Sequence, residues 1–472
     1  MTARGLMVCG TASDAGKSTL VTALCRSLAR RGVRVAPFKA QNMALNSFVT
    51  LDGDEIGRAQ GVQALAAGVE PDVAMNPILL KPMGERASQV VVRGHPIGVM
   101  TAAEYHAAKP ELLATVLDAL DDLRSRFDVV LCEGAGSPAE INLLDHDIAN
   151  LRIAAEAGFP AVVVGDIDRG GVFASLYGTV ALLPAHYRRL VGGFVINKLR
   201  GDPALLFDAA ADLQARTGVP TLGVLPMLAA ATVALDAEDS LALDAPRPTA
   251  GPPIADGLDV AVVRFPWIAN VTDVDAFAVE PGVTVRLVRS AAELGRPDLV
   301  VLPGTKSTVA DLGWLRAQGF PDAILASGAD VLGICGGYQM LGEKIDDAVE
   351  SGAGVVDGLG WLPVRTEFHA DKTVRRVGAT GYEIHHGRVV GDGGDPPDGR
   401  IRGTTVHGLF EDDDTRARYL VAVAARHGKT FAPAGIAFAA VRAARFDALA
   451  DAVEAHLDLA ALDRLLEAGA PR

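Results

Sequence analysis

The chain has 472 residues, 49% of them hydrophobic, so it can bury the cores of two or three domains and extensive disorder is excluded. The formal net charge of −14 disfavours nucleic acid and anionic membranes as partners, because both select basic surfaces. Four cysteines without CxxC spacing indicate neither a zinc site nor a disulfide framework, and they predict a reducing, cytoplasmic location. No apolar run approaches the ~20 residues that a membrane helix needs.

Short apolar runs alternate with helical patterns through the first half, which predicts an α/β domain with a doubly wound parallel sheet over residues 1–235. The predicted strands are Leu6–Cys9, Val33–Phe38, Val129–Cys132, Ala161–Val164, Val191–Ile196 and Thr221–Val224. Leucines spaced four residues apart predict a helix from about Lys17 to Arg31, directly after the first strand.

Between this strand and this helix lies the sequence GTASDAGKS, residues 10–18. Backbone N–H groups at such a junction cradle phosphates, so Gly10 and Gly16 are predicted to contact ATP. Lys17 would neutralise the β- and γ-phosphates, and the Ser18 hydroxyl would bind Mg²⁺. Five residues separate the glycines, where the usual phosphate loop has four. The alternative is a glycine-rich turn with an exposed lysine.

Acidic residues follow two later strands of the predicted sheet. Ligands gather at the carboxyl ends of parallel strands, so Glu133 is a candidate Mg²⁺ ligand. Asp166 and Asp168 are candidates for the same ion or for contacts with the acceptor substrate or phosphate. The alternative is that these acids only cap the helices that follow.

Two further polar segments end strands of this sheet. Asn197 and Lys198 follow a strand at a position where base-recognition residues occur, and they are candidate ATP contacts. Lys39 begins a segment rich in amides after the second strand, and it could bind carboxylate or phosphate oxygens. An ordinary polar loop explains the latter segment nearly as well.

Residues 236–257, rich in Pro, Asp and Gly, predict an interdomain linker. Residues 258–472 then predict a second α/β domain with a helical C-terminal tail after Thr415. Its predicted core strands are Val260–Val263, Val283–Val288, Leu299–Leu302 and Val331–Ile334.

Cys335 lies between the last of these strands and a predicted helix, with glycine on its C-terminal side. A cysteine at such a sharp turn is exposed to substrate, and the positive helix N-terminus favours its thiolate, so it is the predicted nucleophile. Gly336 and the turn at Gly304 are candidate oxyanion donors. The alternative, a small buried structural residue, does not explain the glycine-rich setting.

A thiol nucleophile needs a base. His407 follows a short apolar strand and is the predicted base, with His385 and His386 as competitors. A histidine alone is more often structural, and the prediction depends on the presence of Cys335.

These segments together resemble the cobyric acid synthase family over nearly the whole chain. The first half is also similar to dethiobiotin synthetase, and the second to class I glutamine amidotransferases. The motifs that carry the resemblance are GTASDAGKS, VAPFKAQNMALNS, AMNPILLKP, EGAGSPAEINL, GDIDRGGVFA, LPGTKST, GICGGYQMLG, GYEIH and HGLFE.

The resemblance implies that Cys335, with His407 as base, hydrolyses glutamine through a thioester. The ammonia would attack an acyl phosphate made with ATP, and Glu133 matches the magnesium-binding Glu of dethiobiotin synthetase. The implied acceptor is adenosylcobyrinic acid a,c-diamide, amidated at its b, d, e and g carboxylates. Many class I glutaminases have a Glu two residues after the His, but Leu409 stands there, which leaves Glu411 or a Cys–His dyad.

Two alternatives remain at this stage. Cobyrinic acid a,c-diamide synthase shares both domain types and differs in its substrate. A partitioning-type ATPase shares the phosphate loop, but it usually has a further lysine near the start of that loop, where Thr11 to Ser13 stand here, and it leaves Cys335 unexplained.

Overall fold

The computed structural model describes residues 3–83, 86–229, 257–391 and 399–471. The chain divides into two compact units. The first unit contains residues 1–44, 55–235 and 443–472, and the second contains residues 45–54 and 236–442.

The strands are β1 (Arg4–Gly10), β2 (Val35–Phe38), β3 (Gln41–Met43), β4 (Ser47–Val49), β5 (Glu55–Gly57), β6 (Ile78–Met83), β7 (Ala87–Val92), β8 (His95–Thr101), β9 (Val129–Glu133), β10 (Ala161–Asp166), β11 (Val191–Leu199), β12 (Thr221–Pro226), β13 (Leu258–Val263), β14 (Val283–Val288), β15 (Leu299–Leu302), β16 (Asp330–Ile334), β17 (Lys344–Asp347), β18 (Gly354–Asp357), β19 (Arg365–Val377), β20 (Gly381–Val390) and β21 (Ile401–Thr404).

The α-helices are α1 (Lys17–Arg30), α2 (Arg58–Ala67), α3 (Ala102–Arg126), α4 (Leu151–Ala157), α5 (Val172–Leu182), α6 (Ala185–Arg188), α7 (Phe207–Thr217), α8 (Ala291–Leu294), α9 (Thr308–Ala317), α10 (Phe320–Ser327), α11 (Gly336–Leu341), α12 (Asp413–Arg426), α13 (Phe438–His456) and α14 (Leu459–Ala468).

The first unit is built on a six-stranded sheet in the order β12-β11-β10-β1-β9-β2, with every neighbouring pair parallel. β1 lies between β9 and β10. From β1 the chain first forms the strands on one side of it, β2 and β9, and then those on the other side, β10 to β12. Ligands of doubly wound folds bind at such a point, beside the carboxyl ends of the strands. Gly10, Glu133 and Asp166 end these three strands.

The second unit contains a five-stranded parallel sheet in the order β14-β13-β15-β16-β21. Its central strands are buried along their whole length, as expected for a sheet covered on both faces. Both main sheets are parallel, so the predicted class of two doubly wound α/β domains is confirmed. The unit also contains a smaller mixed sheet in the order β18-β17-β19-β20.

The predicted domain boundaries differ from the structural units in two places. Residues 45–54 belong to the second unit, and residues 443–472 belong to the first. Residues 443–472 join the first unit because Leu449 and Val453 of α13 are buried in the same apolar cluster as Leu24 of α1. Burying each such side chain contributes about 1.5–3 kcal/mol. The predicted linker at 236–257 lies, except for Gly257, outside the described residues.

Candidate functional sites

The phosphate loop of residues 10–18 joins β1 to α1 in the first unit. Gly16 has a φ of +100°, and a Cβ added there would lie 2.0 Å from the Nδ2 atom of Asn197. That same amide donates a hydrogen bond of 2.9 Å to the carbonyl of Ala15. The loop therefore requires glycine at this position, and Asn197 holds the backbone of the loop.

Lys17 lies over its own loop. Its Nζ atom donates to the carbonyl of Ala12 at 2.9 Å and to that of Gly136 at 3.1 Å. The side chain is largely buried, and its charge sits at the start of α1, where the backbone N–H groups of a helix favour an anion.

Glu133 is buried at the carboxyl end of β9. Its Oε1 atom accepts hydrogen bonds from Ser18 Oγ and from Lys39 Nζ, both at 2.8 Å. Its Oε2 atom accepts one from Gln63 Nε2 at 2.6 Å. Ser18 and Glu133 thus place two hard oxygen atoms side by side, the kind of ligand that Mg²⁺ takes from protein beside a nucleotide.

Lys198 connects a third strand end to the loop. Its Nζ atom donates to the carbonyl of Asp14 at 2.6 Å and to Asp166 Oδ2 at 2.8 Å. Asp168 instead accepts a hydrogen bond of 2.7 Å from Arg200, which holds the pKa of this exposed carboxyl below its usual value. Of the two aspartates, Asp166 is the one that the structure brings to the phosphate loop.

Cys335 occupies a strained turn in the second unit. It lies between β16 and α11 with φ 51° and ψ −109°, outside the regions that side chains prefer. Its N–H donates to the carbonyl of Thr404 on the neighbouring strand at 2.8 Å. A Cβ on Gly337 would lie 1.9 Å from the carbonyl oxygen of Leu302, so the turn can close this tightly only with glycine there.

The two predicted oxyanion glycines lie close to the same group of residues. A Cβ on Gly304 would be 3.1 Å from the Cε1 atom of His407. A Cβ on Gly336 would be 2.6 Å from the Cγ2 atom of Thr305, the residue that follows Gly304. Their role as donors to an oxyanion stays a prediction.

His407 follows β21 and is 1% exposed. Its Nδ1 atom lies 2.7 Å from Asp273 Oδ2, while the other carboxylate oxygen of Asp273 accepts from the N–H of Gly408 at 2.8 Å. A carboxylate can only accept, so Nδ1 carries the proton and Nε2 carries the lone pair that can act as a base. Cys335 lies close enough to the imidazole to raise the pKa of His407.

The pKa of His407 reflects this arrangement. Burial lowers it, but the charge of Asp273, the neighbouring Cys335 and the hydrogen bond to Asp273 outweigh burial and raise the pKa to about 10. Cysteine, histidine and aspartate are thus arranged as in a nucleophile–base–acid triad.

Glu411, the sequence candidate for a third glutaminase residue, lies in the short turn Leu409–Glu411 and accepts a hydrogen bond of 2.9 Å from Arg442. Asp273 is the carboxylate that contacts the histidine. The competing histidines make other contacts: His385 lies 3.8 Å from Glu383, and the Nδ1 atom of His386 lies 3.1 Å from the carbonyl of His369.

Sequence reasoning missed Asp273 and Gln63. Asp273 lies in the short turn Val271–Val274, well beyond the end of β13 at Val263, and no strand end or motif marks it. Gln63 lies within α2, where no motif or spacing marks it.

Comparison with known proteins identifies a domain of known type in each half of the chain. Residues 6–240 match the CobQ/CobB/MinD/ParA nucleotide binding domain, and residues 259–423 match the CobB/CobQ-like glutamine amidotransferase domain. A cobyric acid synthase of Saccharopolyspora erythraea is 55% identical over 99% of this chain and 95% of its own length. One of Streptomyces coelicolor is 53% identical over 99% and 97%, respectively.

A cobyric acid synthase of Rhodococcus jostii is 54% identical over 99% of this chain and 96% of its own length. A partitioning-type ATPase would share the nucleotide-binding domain. That hypothesis does not account for the similarity to cobyric acid synthases, which continues through both units. The chain belongs to the cobyric acid synthase family and carries both its nucleotide-binding and its glutamine amidotransferase domain.

Proposed function

We propose that this chain amidates the b, d, e and g carboxylates of adenosylcobyrinic acid a,c-diamide, with ATP as activator and glutamine as nitrogen donor. One observation carries the proposal: a single chain combines a phosphate loop and a Cys–His–Asp array, while more than half of its residues match cobyric acid synthases. A glutaminase alone releases ammonia and an ATP site alone activates an acid, but together they make an amide.

In the glutaminase reaction, Cys335 transfers its proton to Nε2 of His407, and its sulfur attacks the carboxamide carbon of glutamine. Asp273 keeps the proton on Nδ1 and stabilises the imidazolium that forms. The N–H groups of Gly304 and Gly336 are proposed to bind the oxyanion. His407 then gives its proton to the departing ammonia, and water hydrolyses the thioester to glutamate.

In the synthetase reaction, the loop backbone and Lys17 hold the phosphates of ATP and neutralise the charge on the transferred phosphoryl group. A carboxylate of the acceptor attacks the γ-phosphorus, which gives an acyl phosphate and ADP. Ammonia displaces the phosphate to form the amide. Asn197 supports the loop at Ala15, and Lys198, held by Asp166, is proposed to position the loop at Asp14.

Mg²⁺ fits the oxygen atoms of Ser18 and Glu133, and when bound it supplies positive charge to the phosphates. Lys39 contacts the same oxygen of Glu133 as Ser18 does, so we propose that it also contacts phosphate or acceptor oxygens.

We also propose a cytoplasmic location, because the described cysteines are free thiols and ATP is a substrate. Within the described part of the chain, no helix combines the length and apolar character that crossing a membrane requires.

The test is mass spectrometry of the corrinoid after incubation with Mg-ATP, glutamine and adenosylcobyrinic acid a,c-diamide. We expect a product with amides at b, d, e and g, and poor turnover of cobyrinic acid without its a and c amides. Conversion of cobyrinic acid only as far as the a,c-diamide, with no turnover of the diamide, would instead identify an a,c-diamide synthase.

A further inference from the structure

Asn270 is a buried residue of the second unit that the reaction described above does not use. It precedes the short turn Val271–Val274 and has a φ of +52°, in the left-handed region that asparagine tolerates better than most residues. Its side chain lies beside the catalytic histidine, with Nδ2 3.3 Å from His407 Nε2.

Two hydrogen bonds fix this asparagine to residues 46 and 47. The N–H of Asn270 donates to Asn46 Oδ1 at 2.6 Å, and Asn270 Oδ1 accepts from the N–H of Ser47 at 3.0 Å. Because only an oxygen can accept from the Ser47 N–H, the orientation of the amide is determined. The group directed at His407 is therefore an N–H donor.

An N–H donor at Nε2 has a chemical consequence. Asp273 holds the proton on Nδ1, so Nε2 offers the lone pair that must receive the proton of Cys335. The amide of Asn270 can bond to this lone pair only while Nε2 is unprotonated. It therefore favours the neutral thiol and imidazole over the reactive thiolate and imidazolium.

Two other groups beside His407 act in the opposite sense, because Asp273 and Cys335 raise its pKa and so favour the imidazolium. The pKa of His385, which lies 3.8 Å from Glu383, is itself lowered by burial and by the charge of His407. Asn270 thus opposes Asp273, which favours the reactive state in which Cys335 is a thiolate and His407 an imidazolium.

We infer that Asn270 is a positioning residue that restrains the glutaminase, and that the segment 45–54 sets the restraint through Asn46 and Ser47. The residues on either side of this segment, Ala44 and Glu55, belong to the nucleotide-binding unit. A change in the course of the segment when ATP and acceptor bind would reach Asn270 through its two hydrogen bonds. This second step rests on the proposed function.

The test compares Asn270→Gly, Asn46→Ala and, as a control in the same segment, Asp52→Ala, whose side chain is exposed. Glycine keeps the left-handed backbone of residue 270 and removes only the amide. The measurements on the full chain are glutamine hydrolysis and the rate of Cys335 alkylation by iodoacetamide from pH 6 to 9, each with and without Mg-ATP and the diamide.

Without ATP and diamide, Asn270→Gly should raise both rates roughly two- to tenfold, the effect of losing one hydrogen bond, and move the alkylation profile to lower pH. Asn46→Ala should shift both in the same direction, and Asp52→Ala should match the wild type. Stimulation by ATP and diamide should fall in the two asparagine variants.

Unchanged or lower rates in folded variants would overturn the inference, since Asn270 would then be neutral or would assist catalysis. Stimulation that persists in full would overturn the role of the segment. Amidation of the diamide with added ammonium salt, measured in the wild type, tests the proposed function separately, because it does not require the glutaminase.

Discussion

Replacing Asp273 by asparagine changes one oxygen of a buried carboxylate into an amide and should disable the base. The N–H of Gly408 bonds to one oxygen of Asp273 and will keep the single oxygen of the new side chain. The amide nitrogen then faces Nδ1 of His407 and can only donate. The imidazole must move its proton to Nε2, the atom that has to accept from Cys335.

The size of the effect follows from the pKa of His407. Its net rise from 6.5 to about 10, in which Asp273 and Cys335 outweigh burial, corresponds to roughly 5 kcal/mol in favour of the imidazolium. Losing the contribution of Asp273, together with the wrong tautomer, should lower kcat for glutamine hydrolysis by about 10²–10³-fold. The equivalent change in a serine protease triad costs roughly 10⁴, and a thiol depends less on its base than a hydroxyl does.

The assay is release of glutamate from glutamine, with ammonia-dependent amidation as the measure that the variant is folded. Glu411→Gln is the matched control, because Glu411 pairs with Arg442 and should leave hydrolysis within about twofold of the wild type. Near-normal hydrolysis by Asp273→Asn, with a large loss in Glu411→Gln, would refute the assignment of Asp273.

Three further predictions concern single side chains. Cys335→Ala should abolish amidation with glutamine but preserve it with ammonium salt, and loss of both in a folded variant would contradict the division of labour. Lys17→Ala should abolish amidation with either nitrogen source while glutamate release persists, and ammonia-dependent synthesis at a near wild-type rate would show that the loop is not the ATP site. Gly16→Ala should lose ATP binding in calorimetry and about 1–3 kcal/mol of stability, whereas Gly32→Ala, which shares a positive φ but meets no atom within 4 Å, should lose stability alone.

The fold was largely predictable because both main sheets are parallel and buried. Their strands appear in the sequence as short apolar runs, such as Val129–Cys132 and Leu299–Leu302, and helical patterns separate them. The unit to which residues 45–54 and residues 443–472 belong was not predictable. Nothing in residues 45–54 shows which unit they join, and the apolar residues of α13 would serve equally well against either core.

In the two sites, too, some residues could be predicted from the sequence and others could not. Lys17 and Ser18 in the first unit, and Cys335 in the second, each lie in a local signature of strand, tight turn and helix. Asp273 and His407 are 134 positions apart, and only the fold brings them together. Leu409, at the position where many class I glutaminases have Glu, left Glu411 or a Cys–His dyad as the interpretations, and nothing in the sequence pointed to Asp273.

The central claim is that one chain transfers the amide nitrogen of glutamine to a corrin carboxylate activated by ATP. The most direct test is mass spectrometry of corrinoid formed from adenosylcobyrinic acid a,c-diamide and glutamine labelled with ¹⁵N in its amide, in the presence of excess unlabelled ATP. The account predicts ¹⁵N at each of the b, d, e and g amides, with one ADP formed for every amide. Glutamate and ADP released without any ¹⁵N in the corrinoid would contradict it.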